Sequence, residues 1–77
     1  MEEKMNNENK RILRLKEVID RTGLSRSSIY AMIDEGKFPK PIRLGPRAVG
    51  WLESDINAWI QKRIDETPNY SSENYYD

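Results

Sequence analysis

The chain contains neither cysteine nor histidine. Without cysteine there is no disulfide and no thiolate zinc site to brace a small core. Without histidine the commonest general base is gone, and with it the Ser/His and Cys/His nucleophile pairs and imidazole metal sites. Carboxylate chemistry stays formally open, but the acidic residues are scattered and 77 residues leave little room for a substrate pocket. The sequence predicts a protein that is not an enzyme, with no cofactor, no metal and no small-molecule substrate. Long apolar runs are missing too. None approaches the ~20 residues that cross a bilayer, and the opening MEEKMNNENK is too polar for a signal peptide. The expected location is the cytoplasm, with no membrane partner.

A net excess of one charge is the last absence, because 13 Lys/Arg balance 13 Asp/Glu. The balance is not local. From Lys10 to Gly50 ten Lys/Arg face four Asp/Glu, an excess of +6. Residues 51–77 carry two and six, and residues 1–9 one and three, so both ends are acidic. A local field, rather than the net charge, steers a polyanion. A solvated surface with uneven charge fits the same numbers, so charge alone leaves the partner open.

What is present sorts into one small domain. Residues 1–10 lack apolar periodicity and read as a disordered N-terminal arm. The domain spans residues 11–66, and 67–77 read as a disordered acidic tail. The three tyrosines of that tail admit a partner-binding element as the alternative to a flexible end. Ile12-Leu13-Arg14 can form a short edge strand. Leu15, Val18 and Ile19 then make an apolar stripe on a helix from about Leu15 to Thr22, with Lys16, Glu17, Asp20 and Arg21 on its wet side. Gly23 stops it. Ser25 is a good N-cap for a second helix, and Leu24 with Ile29 can form a hydrophobic staple. Ile29, Met32 and Ile33 are its buried stripe, Gly36 ends it, and Pro39 prevents its resumption. The connection Gly23-Leu24-Ser25 is short enough to set the two helices at a steep angle.

Downstream, Ile42 and Leu44 alternate with Arg43, and Val49 and Trp51 alternate with Ala48 and Gly50, across a Gly-Pro turn. This reads as a hairpin with one face on the helices, anchored by Trp51, and with Arg43 and Arg47 facing out. A third helix is expected from about Ser54 to Glu66. Its apolar stripe is Ile56, Trp59, Ile60 and Ile64, and Trp59 is assigned to the core rather than to a ligand platform. The fold class is mainly α with a small β-hairpin wing: a winged helix-turn-helix with three helices.

In that arrangement the positions of the second helix not used for packing include Arg26, Ser27 and Tyr30. The major groove accepts one α-helix, read mainly by its N-terminal residues. Arg26 can contact guanine or phosphate, and Ser25, Ser27 and Ser28 can bond phosphate beside free N–H groups. Tyr30 can reach a phosphate or pack on a thymine methyl. Arg43 and Arg47 on a narrow hairpin can lie along the minor groove. Lys37 and Lys40 suit phosphate contacts, although Lys40 equally suits a soluble strand edge. Arg26 alone could be an ordinary solvated charge; beside the wing it is assigned to DNA.

The stretch RLKEVIDRTGLSRSSIYAMIDEGKFPKPIRLGPRAVGWLESDINAWI, residues 14–60, resembles the small phage and prophage AlpA-like regulators. These are related to phage excisionases and to the MerR-like winged-helix fold. The most specific part runs from FPKPIRLGPRAVGW through the Ser-Asp-Ile…Ala-Trp-Ile of the next helix. The resemblance implies a second helix in the major groove with the wing alongside. It also implies activation of a neighbouring integrase gene, or action as an excisionase, a recombination directionality factor that bends attachment-site DNA. The expected partner is double-stranded DNA, with integrase or further copies of the chain on DNA as additional candidates. The chain has no long C-terminal coiled coil, so assembly along repeated sites is expected rather than a stable free dimer. A protein-interaction adaptor without DNA binding, working through the acidic tail, is the reading from a different class.

Overall fold

Arg14 opens the first helix. Its backbone N–H donates to the Glu17 carboxylate at 2.9 Å, and its carbonyl accepts from Val18 N at 3.0 Å. In the computed structural model, which describes residues 10–68, the elements run β1 (Ile12–Leu13), α1 (Leu15–Thr22), α2 (Arg26–Asp34), β2 (Ile42–Gly45), β3 (Ala48–Leu52) and α3 (Glu53–Asp65). Most of the N-terminal arm and of the C-terminal tail lies outside the described residues. Three helices and a small antiparallel sheet make a winged helix-turn-helix, mainly α with a β wing. No helix among the described residues is long and apolar enough to cross a membrane.

Two glycines stop the first two helices. Gly23 takes φ 76°, and its N–H reaches Ile19 O at 2.8 Å. Gly36 takes φ 75°. There Gly36 N donates to Ile33 O and Lys37 N to Met32 O, at 3.0 and 2.8 Å, the paired bonds of a Schellman motif. At the front of α2, Ser25 accepts from Ser28 N at 3.1 Å. α3 starts one residue before the expected Ser54, because β3 runs straight into it at Leu52. Glu53 and Asp55 lie in its first turn and Lys62 and Arg63 in its last, an order that suits the helix dipole.

The sheet order is β1-β3-β2, antiparallel throughout. Leu13 pairs with Trp51, and these two side chains form the inner face with no exposed surface. Val18, Ile29 and Ile56 meet them, also fully buried, and Phe38 joins at 5% exposure. Leu24, Met32, Trp59 and Ile60 pack around this centre. Phe38 was not among the expected core residues. It stands between a helix stop and a proline, where no periodicity marks it.

The register corrects the expected faces of the wing. Ile42 pairs with Gly50 and Arg43 with Val49. Side chains alternate along a strand, so Ile42 lies on the outer face with Ile12, while Arg43 and Val49 share the face of Trp51. Ile42 and Leu44 are therefore 37% and 44% exposed instead of covering the helices. The cause is the third strand: β1 adds Ile12 to the outer face, over Gly50. A Cβ on Gly50 would collide with Ile12 Cγ2 and lie 3.1 Å from both Leu13 O and Leu44 Cδ1. Gly50→Ala should therefore destabilise the domain by about 1–3 kcal/mol through overpacking. Thermal unfolding should show a midpoint lowered by at least ~4 °C for a domain of this size; an unchanged midpoint would mean that β1 does not press on Gly50.

Candidate nucleic-acid interface

The first turn of α2 gathers the serines and the first arginine singled out for DNA contact. Ser25, Arg26, Ser27 and Ser28 are all exposed. The hydroxyl of Ser25 is committed locally. It accepts from Ser28 N, donates to Ser28 Oγ at 3.0 Å, and lies 3.5 Å from Ser27 Oγ. Ser25 thus shapes the turn, while Ser27, Ser28 and the first free N–H groups of the helix are presented outward. Tyr30 follows one turn later beside Arg26 and Ser27. Its ring meets that of Trp51 edge-on, with centroids 6.4 Å apart and planes at 63°.

That contact joins helix to wing. Trp51, Val49 and Arg43 share one sheet face, so the face that abuts Tyr30 also carries Arg43. Arg47 sits in the two-residue turn Pro46-Arg47 and is exposed. Lys37 and Lys40 are placed differently. Both line a groove between the loop after α2 and the outer side of α3, shared with Lys62 and Arg63. The structure therefore sets Arg26 and Tyr30 on one helix, links Tyr30 to Trp51 on the sheet face that carries Arg43, and lines the groove beside α3 with Lys37 and Lys40.

Ion pairing divides the cations in the same way. Arg11 and Arg21 bind Glu53, at 3.4 and 2.7 Å, and Arg21 also reaches Asn57 at 3.3 Å. Lys16 pairs with Asp20, Lys37 with Glu35, and Lys62 and Arg63 with Glu66. Among the described residues Arg14, Arg26, Lys40, Arg43 and Arg47 enter no ion pair. Arg14, exposed at the N-cap of α1, was not among the residues expected to touch DNA. Its position at the start of a helix is the only local signal for it. Arg21, exposed on the wet side as expected, also ties α1 to α3 across 32 positions of sequence, a contact with no local signature.

Residues 11–64 match the family model described as prophage CP4-57 regulatory protein (AlpA). The chain is 41% identical over 59 residues to the DNA-binding transcriptional activator AlpA of Escherichia coli (strain K12), an alignment that covers 69% of this chain and 84% of that protein. It is 48% identical over 54 residues to the uncharacterized protein ORF88 of Enterobacteria phage P4, covering 70% of this chain. The chain spans only 61% of the length of that phage protein.

The hydroxyl geometry separates the serines by experiment. Ser25→Ala removes the cap and should cost ~1 kcal/mol of stability, whereas Ser27→Ala should leave thermal unfolding unchanged. Equal melting of the two variants would show that Ser25 does not cap α2.

Proposed function

Because the chain belongs to the AlpA family of prophage regulatory proteins, we propose that it is a double-stranded DNA-binding regulator of transcription. The observation that carries this reading is the distribution of unpaired arginines. Arg26 on α2 and Arg43 and Arg47 on the wing lack carboxylate partners among the described residues, while the cations that brace the fold have them. Guanidinium groups left free on adjoining surfaces are what a polyanion requires, because each phosphate neutralised releases counterions.

The division of labour follows from position. The first turn of α2 enters the major groove, where Arg26 makes a bidentate contact to guanine or binds phosphate. Ser27, Ser28 and the free N–H groups beside them hold phosphate. Tyr30, steadied by Trp51, packs on a thymine methyl or bonds a phosphate. Arg43 and Arg47 follow the minor groove, where narrow stretches concentrate negative potential. Arg14 adds a phosphate contact from the start of α1. Binding rather than catalysis is the proposed activity. A promoter and an attachment site would engage the same residues, and regulation of transcription is preferred because the K12 relative is a transcriptional activator by name.

Mobility shifts with fragments of the source genome test this reading, and sequencing of retained fragments separates promoters from attachment sites. With roughly 4–6 phosphate contacts, log K should fall against log salt with a slope of about −4 to −5. No retention at low salt, or a flat salt response, would overturn the proposal. Arg26→Ala should cost ~1–3 kcal/mol and relax preference at one base pair, whereas Arg47→Ala should weaken all sequences more evenly. An even loss from Arg26→Ala would assign it to phosphate.

A further inference from the structure

The groove lined by Lys37 and Lys40 is not used by the contacts proposed above for α2 and the wing. It has a volume of about 960 Å³ and lies between the loop Gly36–Lys40 and α3. Its floor is aromatic. Phe38 is buried, and its ring meets Trp59 edge-on at 4.8 Å. The loop wall is pinned at two carbonyls: Trp59 Nε1 donates to Lys37 O at 2.8 Å, and Trp51 Nε1 donates to Pro39 O at 2.9 Å. A wall held this way is formed before any ligand arrives. Lys37 and Lys40 stand on one side and Lys62 and Arg63 on the other, with the Arg63 guanidinium over the Trp59 ring at 5.6 Å.

The geometry points to this groove as a docking site for a short acidic peptide segment of a partner protein that carries an apolar or aromatic side chain. Charge complementarity argues for the acid, since four cations, Lys40 among them unpaired, line the groove against Asp55 and Glu66, with Glu35 beside Lys37. The ion pairs of Lys37 and Lys62 are exposed and long, at 3.7 and 4.0 Å, so incoming carboxylates can replace them at small cost. The floor of Phe38 and Trp59 argues for the apolar side chain. The length argues for a peptide. Asp55 to Glu66 spans roughly 16 Å of helix at ~1.5 Å per residue, which matches about five residues of extended chain at ~3.3 Å each. A duplex is disfavoured, because its phosphates would meet the Asp55 and Glu66 carboxylates at the two ends of the groove.

The chain has two tryptophans, and thus two indole N–H signals that report on this loop. The full chain, labelled with ¹⁵N, would be titrated with an eight-residue peptide of glutamates around a central Leu-Phe pair. The expected result is a saturable shift of the Trp59 indole signal and of the Lys62 and Arg63 amides, absent when the glutamates are glutamines. Lys40→Gln and, independently, Lys62→Gln should each weaken binding severalfold while lowering the melting midpoint by no more than a few degrees. No shift at millimolar peptide, equal binding of the glutamine peptide, or indifference to both substitutions would overturn the proposal. So would a DNA duplex that moves the Trp59 indole as strongly as the peptide, or a shift that tracks protein concentration or removal of residues 69–77. The titration uses no DNA target, so its failure is distinct from failure of the DNA-binding reading.

Discussion

Two indole N–H groups hold the segment on which this fold turns. Trp51 donates to Pro39 O and Trp59 to Lys37 O, and the side chain between those carbonyls, Phe38, is buried. Beyond the Lys37 N–Met32 O bond that closes α2, the segment has no helix or strand bonds of its own, and the part-buried Pro39 carbonyl would be costly unpaired. The tryptophans satisfy them from β3 and α3. One short loop is thereby locked to the sheet on one side and to the last helix on the other, and the position of the wing relative to α2 follows. Trp51 then continues the chain of contact to Tyr30. The same residue thus completes the core, fixes the loop and backs α2.

Charge is distributed according to the same plan. Glu53 gathers Arg11 and Arg21, so the start of α3 is tied to α1 and to the chain entering β1. Exposed pairs of this kind contribute little individually, and their main effect here is to consume cations away from α2. The +6 excess of residues 10–50 is therefore not spread evenly. Of the described arginines, those that remain free, Arg14, Arg26, Arg43 and Arg47, fall on the helix-turn-helix and its wing, while the unpaired Lys40 lines the groove beside α3.

Much of the fold is legible because it rests on local chemistry. Gly23 and Gly36 adopt left-handed backbone where the sequence places helix stops, Ser25 caps where a cap is expected, and the stripe Val18, Ile29, Met32 faces inward. Phe38 escapes because its burial comes from tryptophans 13 and 21 positions away, not from any periodic neighbour. The wing is legible as a hairpin but not in its faces. Two apolar residues flanking Arg43 imply an inner apolar face only for a two-stranded ribbon on the helices. Once Ile12 occupies the space above Gly50, the outer face becomes apolar and Arg43 falls on the sheet face of Trp51. Of the candidate site, the residue types and the helix start are readable; the local commitment of the Ser25 hydroxyl and the placement of Lys37 and Lys40 along the groove beside α3 are not.

The sequence by itself determined the helices, their stops, the turn between them and the stock of arginines and serines able to meet a polyanion, because propensity, capping and periodicity act within a few residues. Only the tertiary structure decided which cations stay free and which are consumed, since Arg21 and Glu53 meet across 32 positions. It also decided which face of the wing looks at the helix, because a one-residue change in register moves every side chain of a strand to the other side. Both decisions depend on long-range contacts that leave no mark in local pattern.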